Sequence, residues 1–265
     1  MDFNYTKYRT DILEHLIQYK NNVLNVKKNG IDTRLKKEYP HILPKEKEYL
    51  NIINSTYGME LWNLIKIYKI KLHNEFHHLN SSQALCFNLF YPIIKENKFD
   101  LFFDRKEDII EWKFEFVPDK KERTNFDVYI RTDKDRYFFE IKYTENEFHK
   151  KEINDETIKR YNEIYKEIMN EFNNVTAEIF LNDYQIFRNL SYINIGIINF
   201  VIPKARMDLN NQINNVLENY CNINLRKRIN IMYIENIVEK ALSFQKINEY
   251  YKLFYNKYVS GATST

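Results

Sequence analysis

A chain of 265 residues, 44% hydrophobic and 29% charged, has the length and apolar content to bury one sizeable core. Its formal charge of +3 permits a nucleic-acid partner without arguing for one, because a local basic groove counts for more than the total. Cys86 and Cys221 stand alone and far apart, against a disulfide framework or structural zinc site. No window approaches the roughly 20 apolar residues of a membrane helix, and the MDFNYTKYRTD start lacks the pattern of a secretory signal, so the expected location is a reducing cytoplasm.

In chain order, residues 4 to 28 read as an amphipathic helix through Ile12, Leu13, Leu16, Ile17 and Leu24, stopped at Asn29-Gly30. Pro40 and Pro44 mark 31 to 45 as loop, and a short helix follows at 45 to 54. Leu61, Ile65, Tyr68, Leu72, Phe76 and Leu79 recur at helical spacing and predict a helix over 58 to 79. His73, His77 and His78 fall at its end without an HExxH pattern, and read as surface or edge histidines rather than metal ligands. Ser81 or Ser82 can cap a helix through Gln83 to Phe90 that Pro92 limits. A short helix and connection over 94 to 108 lead to a strand at Ile109 to Val117, where Trp112, Phe114 and Phe116 oppose Glu111, Lys113 and Glu115.

The stretch TNFDVYIRTDKDRYFFEIKYTE, Thr124 to Glu145, predicts two strands joined by the polar turn Thr132 to Asp135. Phe126, Val128 and Ile130 alternate with Asp127, Tyr129 and Arg131. Phe139, Ile141 and Tyr143 alternate with Phe138, Glu140 and Lys142. A long helix is expected over Glu145 to Phe172, a short one over 182 to 190, and a central strand over Ser191 to Ile202, ended by Pro203. A helix near 208 to 220, a strand near 228 to 233 and helices over 235 to 258 complete an α/β chain of helices over a mixed sheet.

The hairpin carries chemistry. Two carboxylates sharing a site favour a divalent cation, which supplies a partner for hard oxygen ligands and offsets their repulsion. The spacing Glu140-Ile141-Lys142 puts acid and lysine on one strand face. Phosphodiester hydrolysis needs an oriented water, an electrophile for the nonbridging oxygens and help for the leaving oxygen, so Asp127 and Glu140 fit as metal ligands and Lys142 as the group that orients water or neutralises charge. An acid followed about a dozen residues later by ExK also occurs as plain surface charge on a hairpin.

Ser81-Ser82-Gln83-Ala84-Leu85-Cys86-Phe87-Asn88-Leu89-Phe90, then Thr124 to Val128, then Glu140 to Tyr143, with Phe148 and the Gln185 to Leu190 stretch QIFRNL, form an ordered set. The set resembles a bacterial group of PD-(D/E)xK restriction-endonuclease-like proteins over roughly residues 60 to 202. The resemblance implies a mixed β-sheet core flanked by helices, with additional N- and C-terminal helices. It places one domain over 1–265, with a core at about 58–205, a helical extension at 1–57 and a C-terminal elaboration at 206–265. It implies Mg²⁺-dependent cleavage of double-stranded DNA, with Mn²⁺ as substitute, by a type II restriction enzyme. By that resemblance Asp127, Glu140 and Lys142 match the catalytic motif, although Phe126 stands where the motif's proline is expected. Glu75 is its candidate for an auxiliary acid, Glu115 the competitor, and Gln83 a supporting residue.

Basic clusters at Lys120, Lys121 and Arg123, at Lys150 and Lys151, and at Arg226, Lys227 and Arg228 are candidate DNA contacts, although each taken singly reads first as a solvated face. A homodimer would match a palindromic target, and a cognate DNA methyltransferase would be the partner enzyme in such a system. A nonspecific or structure-selective repair or phage-defence nuclease, and a DNA-binding module without turnover, are the alternatives.

Overall fold

The computed structural model describes residues 3–119, 122 and 125–261. The N-terminal part comprises α1 (Tyr5–Asn22), a two-residue-per-strand ribbon of β1 (Gly30–Ile31) and β2 (Glu38–Tyr39), a 3-10 segment Lys45–Asn51, α2 (Thr56–Ile67) and α3 (Ser82–Lys95). The sheet strands are β3 (Ile109–Phe116), β4 (Phe126–Thr132), β5 (Arg136–Ile141), β6 (Ile197–Ile202) and β7 (Ile229–Tyr233). Between β5 and β6 lie α4 (Asp155–Ile164), α5 (Lys166–Met169), α6 (Ala177–Asn182) and α7 (Tyr184–Leu190). The helices α8 (Met207–Tyr220) and α9 (Ile223–Arg226) join β6 to β7, and α10 (Ile234–Leu242) and α11 (Asn248–Tyr258) follow.

The five strands run in the order β3-β4-β5-β6-β7, an antiparallel meander continued by two parallel pairings. Parallel neighbours need crossovers, and α4–α7 and then α8–α9 supply them. Every residue of β6 is buried, as a strand covered on both faces must be. One face, with Val128, Ile130, Phe139 and Val201, packs on α3 and the N- and C-terminal helices; the other, with Phe138, Ile198 and Phe200, packs on α4–α8. The fold is therefore α/β, a mixed sheet between two helical layers.

Several boundaries depart from the sequence pattern. The helix expected to reach Leu79 ends at Ile67, because Lys69 adopts φ 50° and the Ile70 and Lys69 amides return to the carbonyls of Ile65 and Lys66. That is a Schellman close built without glycine. Tyr68 is left 73% exposed, and His77 and His78, expected at the surface or edge, are buried. Pro92 does not limit α3: the carbonyl of Asn88, which a residue-92 amide would have bonded, accepts instead from the Tyr250 hydroxyl at 3.1 Å. The first helix ends at Asn22 rather than Lys28, and β6 begins at Ile197 because 191–196 form turns.

The expected helix over Glu145 to Phe172 is the largest departure. Residues 142–154 are irregular because their backbone groups are taken elsewhere. Fully buried Arg206 donates to the carbonyls of Tyr143, Glu145 and Asn146, Tyr8 also donates to Tyr143, and Tyr5 donates to Thr144. Helix begins only at Asp155, behind a capping box formed by Asn154 and Thr157.

Candidate active site

The alternation of β3 and β4 breaks at one level. Trp112 and Phe114 face the α3 layer, but Phe116 faces the opposite layer; likewise Val128 and Ile130 face α3 while Phe126 does not. The expected one-face sets Trp112/Phe114/Phe116 and Phe126/Val128/Ile130 are corrected accordingly. Glu115 sits at this crossover with φ 51°, a left-handed conformation that an unbranched acid adopts at a cost of about 1–2 kcal/mol. The pairs Phe114–Val128 and Phe116–Phe126 flank it, so Glu115 and Asp127 occupy the same level of neighbouring strands.

On the other side of β4 the ladder to β5 closes at Val128–Phe139. Beyond that pair, the Asp127 carboxylate takes over as acceptor, receiving the Ile141 amide at 2.7 Å. Burial, then the charges of Glu140 and Glu115, push the Asp127 carboxyl well above the usual carboxylate range, against the opposing pull of the Ile141 amide and Lys142. Three acids thus converge electrostatically on the place where β4 and β5 part.

Glu140 is buried and held from α7. Gln185 donates to its Oε1, Asn189 donates to Oε2 at 3.2 Å, and the Arg188 guanidinium lies 3.6 Å from Oε2. Gln185 is itself fixed by the His149 amide at 2.9 Å. Lys142 lies 3.8 Å from Glu140 Oε1, with its ammonium 5.4 Å over the Phe148 ring, and its own amide continues the sheet to Val201. Glu115 accepts from Gln83 at 2.7 Å and from Asn125, and His73 Nε2 lies 3.3 Å away. Gln83 also accepts from the His73 amide, so one side chain ties α3 both to β3 and to the segment after α2.

The geometry brings together Asp127, Glu140, Lys142, Glu115 and Gln83. Glu75 stands apart, on the segment after α2 rather than on a helix, 3.7 Å from Arg34. Of the basic clusters, Lys120, Lys121 and Arg123 lie outside the described residues. Lys150 pairs with Glu147 at 2.9 Å, Lys151 lies over Tyr184, Arg226 caps carbonyls of Glu218 and Cys221, and Arg228 lies 3.7 Å from Asp135. Lys227 lines a groove with Phe103 and Asn230. The grip of Gln185 and Asn189 on Glu140 had one sequence signal: two amides at i and i+4 of a short helix in which Arg188 is the one charged residue.

Among the described residues no three histidine, cysteine or acidic side chains stand at metal-ligand spacing. Asp127 and Glu140 nevertheless offer hard oxygen donors, and a divalent cation would oppose both the burial and the repulsion from Glu140 that raise the Asp127 carboxyl. A family model described as restriction endonuclease associating with ARP matches residues 4–259. No curated protein and no solved structure matches the chain.

Proposed function

The chain belongs to that family of restriction endonucleases associating with ARP, and on that footing we propose that it hydrolyses phosphodiester bonds of double-stranded DNA as a metal-dependent, sequence-specific type II enzyme. The observation that carries the reading is the meeting of Asp127, Glu140 and Lys142 where β4 and β5 separate. A nuclease role follows from the family; the metal, the duplex substrate and the type II class are inferred from the chemistry of these residues.

In this reading Asp127 and Glu140 would hold Mg²⁺, with Mn²⁺ as substitute, and Glu115 would support the same site. The bound ion would polarise the phosphate and lower the pKa of attacking water. Lys142 orients that water and offsets charge growing on the nonbridging oxygens. Gln185 and Asn189 fix the orientation of the Glu140 carboxylate. A two-fold dimer would set two such centres against opposite strands, and a DNA methyltransferase sharing the target would protect the host. The same residues would also serve a nonspecific nuclease. Cleavage of a randomised duplex pool with Mg²⁺ tests the proposal: ends sharing a short sequence support it, and dispersed ends favour the nonspecific enzyme.

A further inference from the structure

A cleft of about 580 Å³ lies beside the acid cluster, with Tyr39, His41, His78, Asn80, Ser82 and Thr144 in its walls. Its size is within the ordinary range of small-ligand pockets, about 300–1,000 Å³. It adjoins the candidate active site at His73, which lines it and whose Nε2 lies 3.3 Å from Glu115. Ser82 precedes Gln83, which donates to Glu115; Thr144 lies two residues beyond Lys142 and accepts from Asn80 Nδ2 at 2.8 Å. A strand cut at the acid cluster therefore has this cleft as its neighbour.

Two polar atoms of residues in the wall, His78 Nε2 and Asn80 Oδ1, have no hydrogen-bond partner among the described residues and are closed off from solvent, so a ligand donor meets them as these side chains turn towards the cleft. His78 is only 8% exposed. Burial, reinforced by His77, holds its imidazole down at about 4, and burial does the same for His41, so neither ring adds positive charge near neutral pH. The rings are planar faces set close together, with Tyr39–His41 centroids 5.8 Å apart and His41–His78 centroids 6.1 Å apart.

Charge decides which part of a nucleotide suits this cleft. Its carboxylates are Asp32, Glu75 and Glu145, against the guanidiniums of Arg9 and Arg34 and the imidazole of His73, which its hydrogen bond to Glu115 favours in the charged form. A phosphate seeks a surplus of positive charge, which this lining does not give. A nucleobase instead offers an exocyclic amino donor to oxygen acceptors and a flat face to aromatic rings. Extruding a base gives up stacking and pairing, which such contacts can offset.

We propose that this cleft receives a nucleobase of the substrate strand, unstacked beside the cut phosphate, with its amino group on Asn80 Oδ1 and its ring against Tyr39 and His41. The inference rests on the nuclease reading above and deepens it, because it makes base extrusion part of how the strand is engaged.

The test uses the full chain and duplexes, taken from its own cleavage products, that carry a fluorescent aminopurine at each position within three nucleotides of the cut. With Ca²⁺ in place of Mg²⁺ to slow cleavage, aminopurine emission should rise at least threefold at one position and stay flat at the others. Asn80→Leu and, independently, Tyr39→Ala should each remove at least half of that rise while circular dichroism remains unchanged. Duplex binding followed by anisotropy in the same samples separates the two claims. Binding and cutting without a rise at any position overturns the base site and leaves the nuclease reading intact; no binding and no cutting overturns both. A rise that survives both substitutions, or substitutions that weaken binding without changing the emission, also overturn the proposal, the latter pointing to a backbone contact.

Discussion

Replacing Lys142 with methionine separates its chemical role from its structural one. The ammonium lies 3.8 Å from Glu140 Oε1, with the lysine side chain 10% exposed. At an effective dielectric of about 20, that distance corresponds to an attraction of about 4 kcal/mol. Desolvating the lysine costs several kcal/mol, which cancels most of it. Glu140 also keeps Gln185, Asn189 and Arg188 after the substitution, so no buried charge is left bare. Methionine loses the ammonium's contact over the Phe148 ring and sets a polarisable thioether beside it instead. Unfolding in urea should therefore shift by only about 1 kcal/mol. Single-turnover cleavage of a duplex pool with Mg²⁺ should fall by about 10³-fold, or about 4 kcal/mol of barrier, because proton handling and charge stabilisation are lost together. Anisotropy should show duplex binding within a few-fold of wild type. Cleavage within threefold of wild type would refute the role given to Lys142; a loss of several kcal/mol of stability would refute the structural ledger.

Three further outcomes follow from neighbouring contacts. Gln185→Leu strips a donor from buried Glu140 and an acceptor from the His149 amide, so urea unfolding should show a loss of about 2 kcal/mol and cleavage should fall about 10-fold or more; an unchanged midpoint would contradict this. Arg206→Met releases three loop carbonyls and leaves Asp208 unpaired, and should cost about 3–5 kcal/mol in the same assay, with faster amide exchange over 143–149. His41 has its imidazole held down at about 4, below the ordinary 6.5. The unfolded chain then binds the proton first, so this contribution to stability is present above about pH 6.5 and is lost as pH falls towards 4. His41→Gln should flatten the decline in stability measured between pH 7 and 5, and an identical slope in both proteins would contradict the assignment.

Much of the architecture was legible because it follows local rules. The hairpin alternation, the Ser81 cap of α3 and the apolar run of β6 each rest on a few adjacent residues. What was not legible depends on distant partners or on residues in unfavoured conformations. Lys69 closes α2 in a position where glycine would have announced the stop. Arg206 holds the loop after Lys142 from about 60 residues away, overriding a helical pattern in 145–154. Pro92 stays helical because Tyr250 supplies the missing donor. The candidate site shows the same division. Asp127, Glu140 and Lys142 could be named from spacing, whereas Glu115 and Gln83 join them only because the chain turns left-handed at Glu115 and α3 packs across β3. Glu75 was the candidate auxiliary acid on the expectation of a helix reaching it, and α2 ends short of it, leaving it beside Arg34.

The central claim is metal-dependent cleavage of duplex DNA at the fork of β4 and β5. Its most direct test is sequencing of the ends produced from a randomised duplex pool, by wild type and by Asp127→Asn, with Mg²⁺ and with a chelator. The account predicts ends sharing one short sequence for wild type with Mg²⁺, and no ends above background for the variant or in the chelator. Cleavage that persists in the Asp127→Asn protein, or that is indifferent to the chelator, would contradict it.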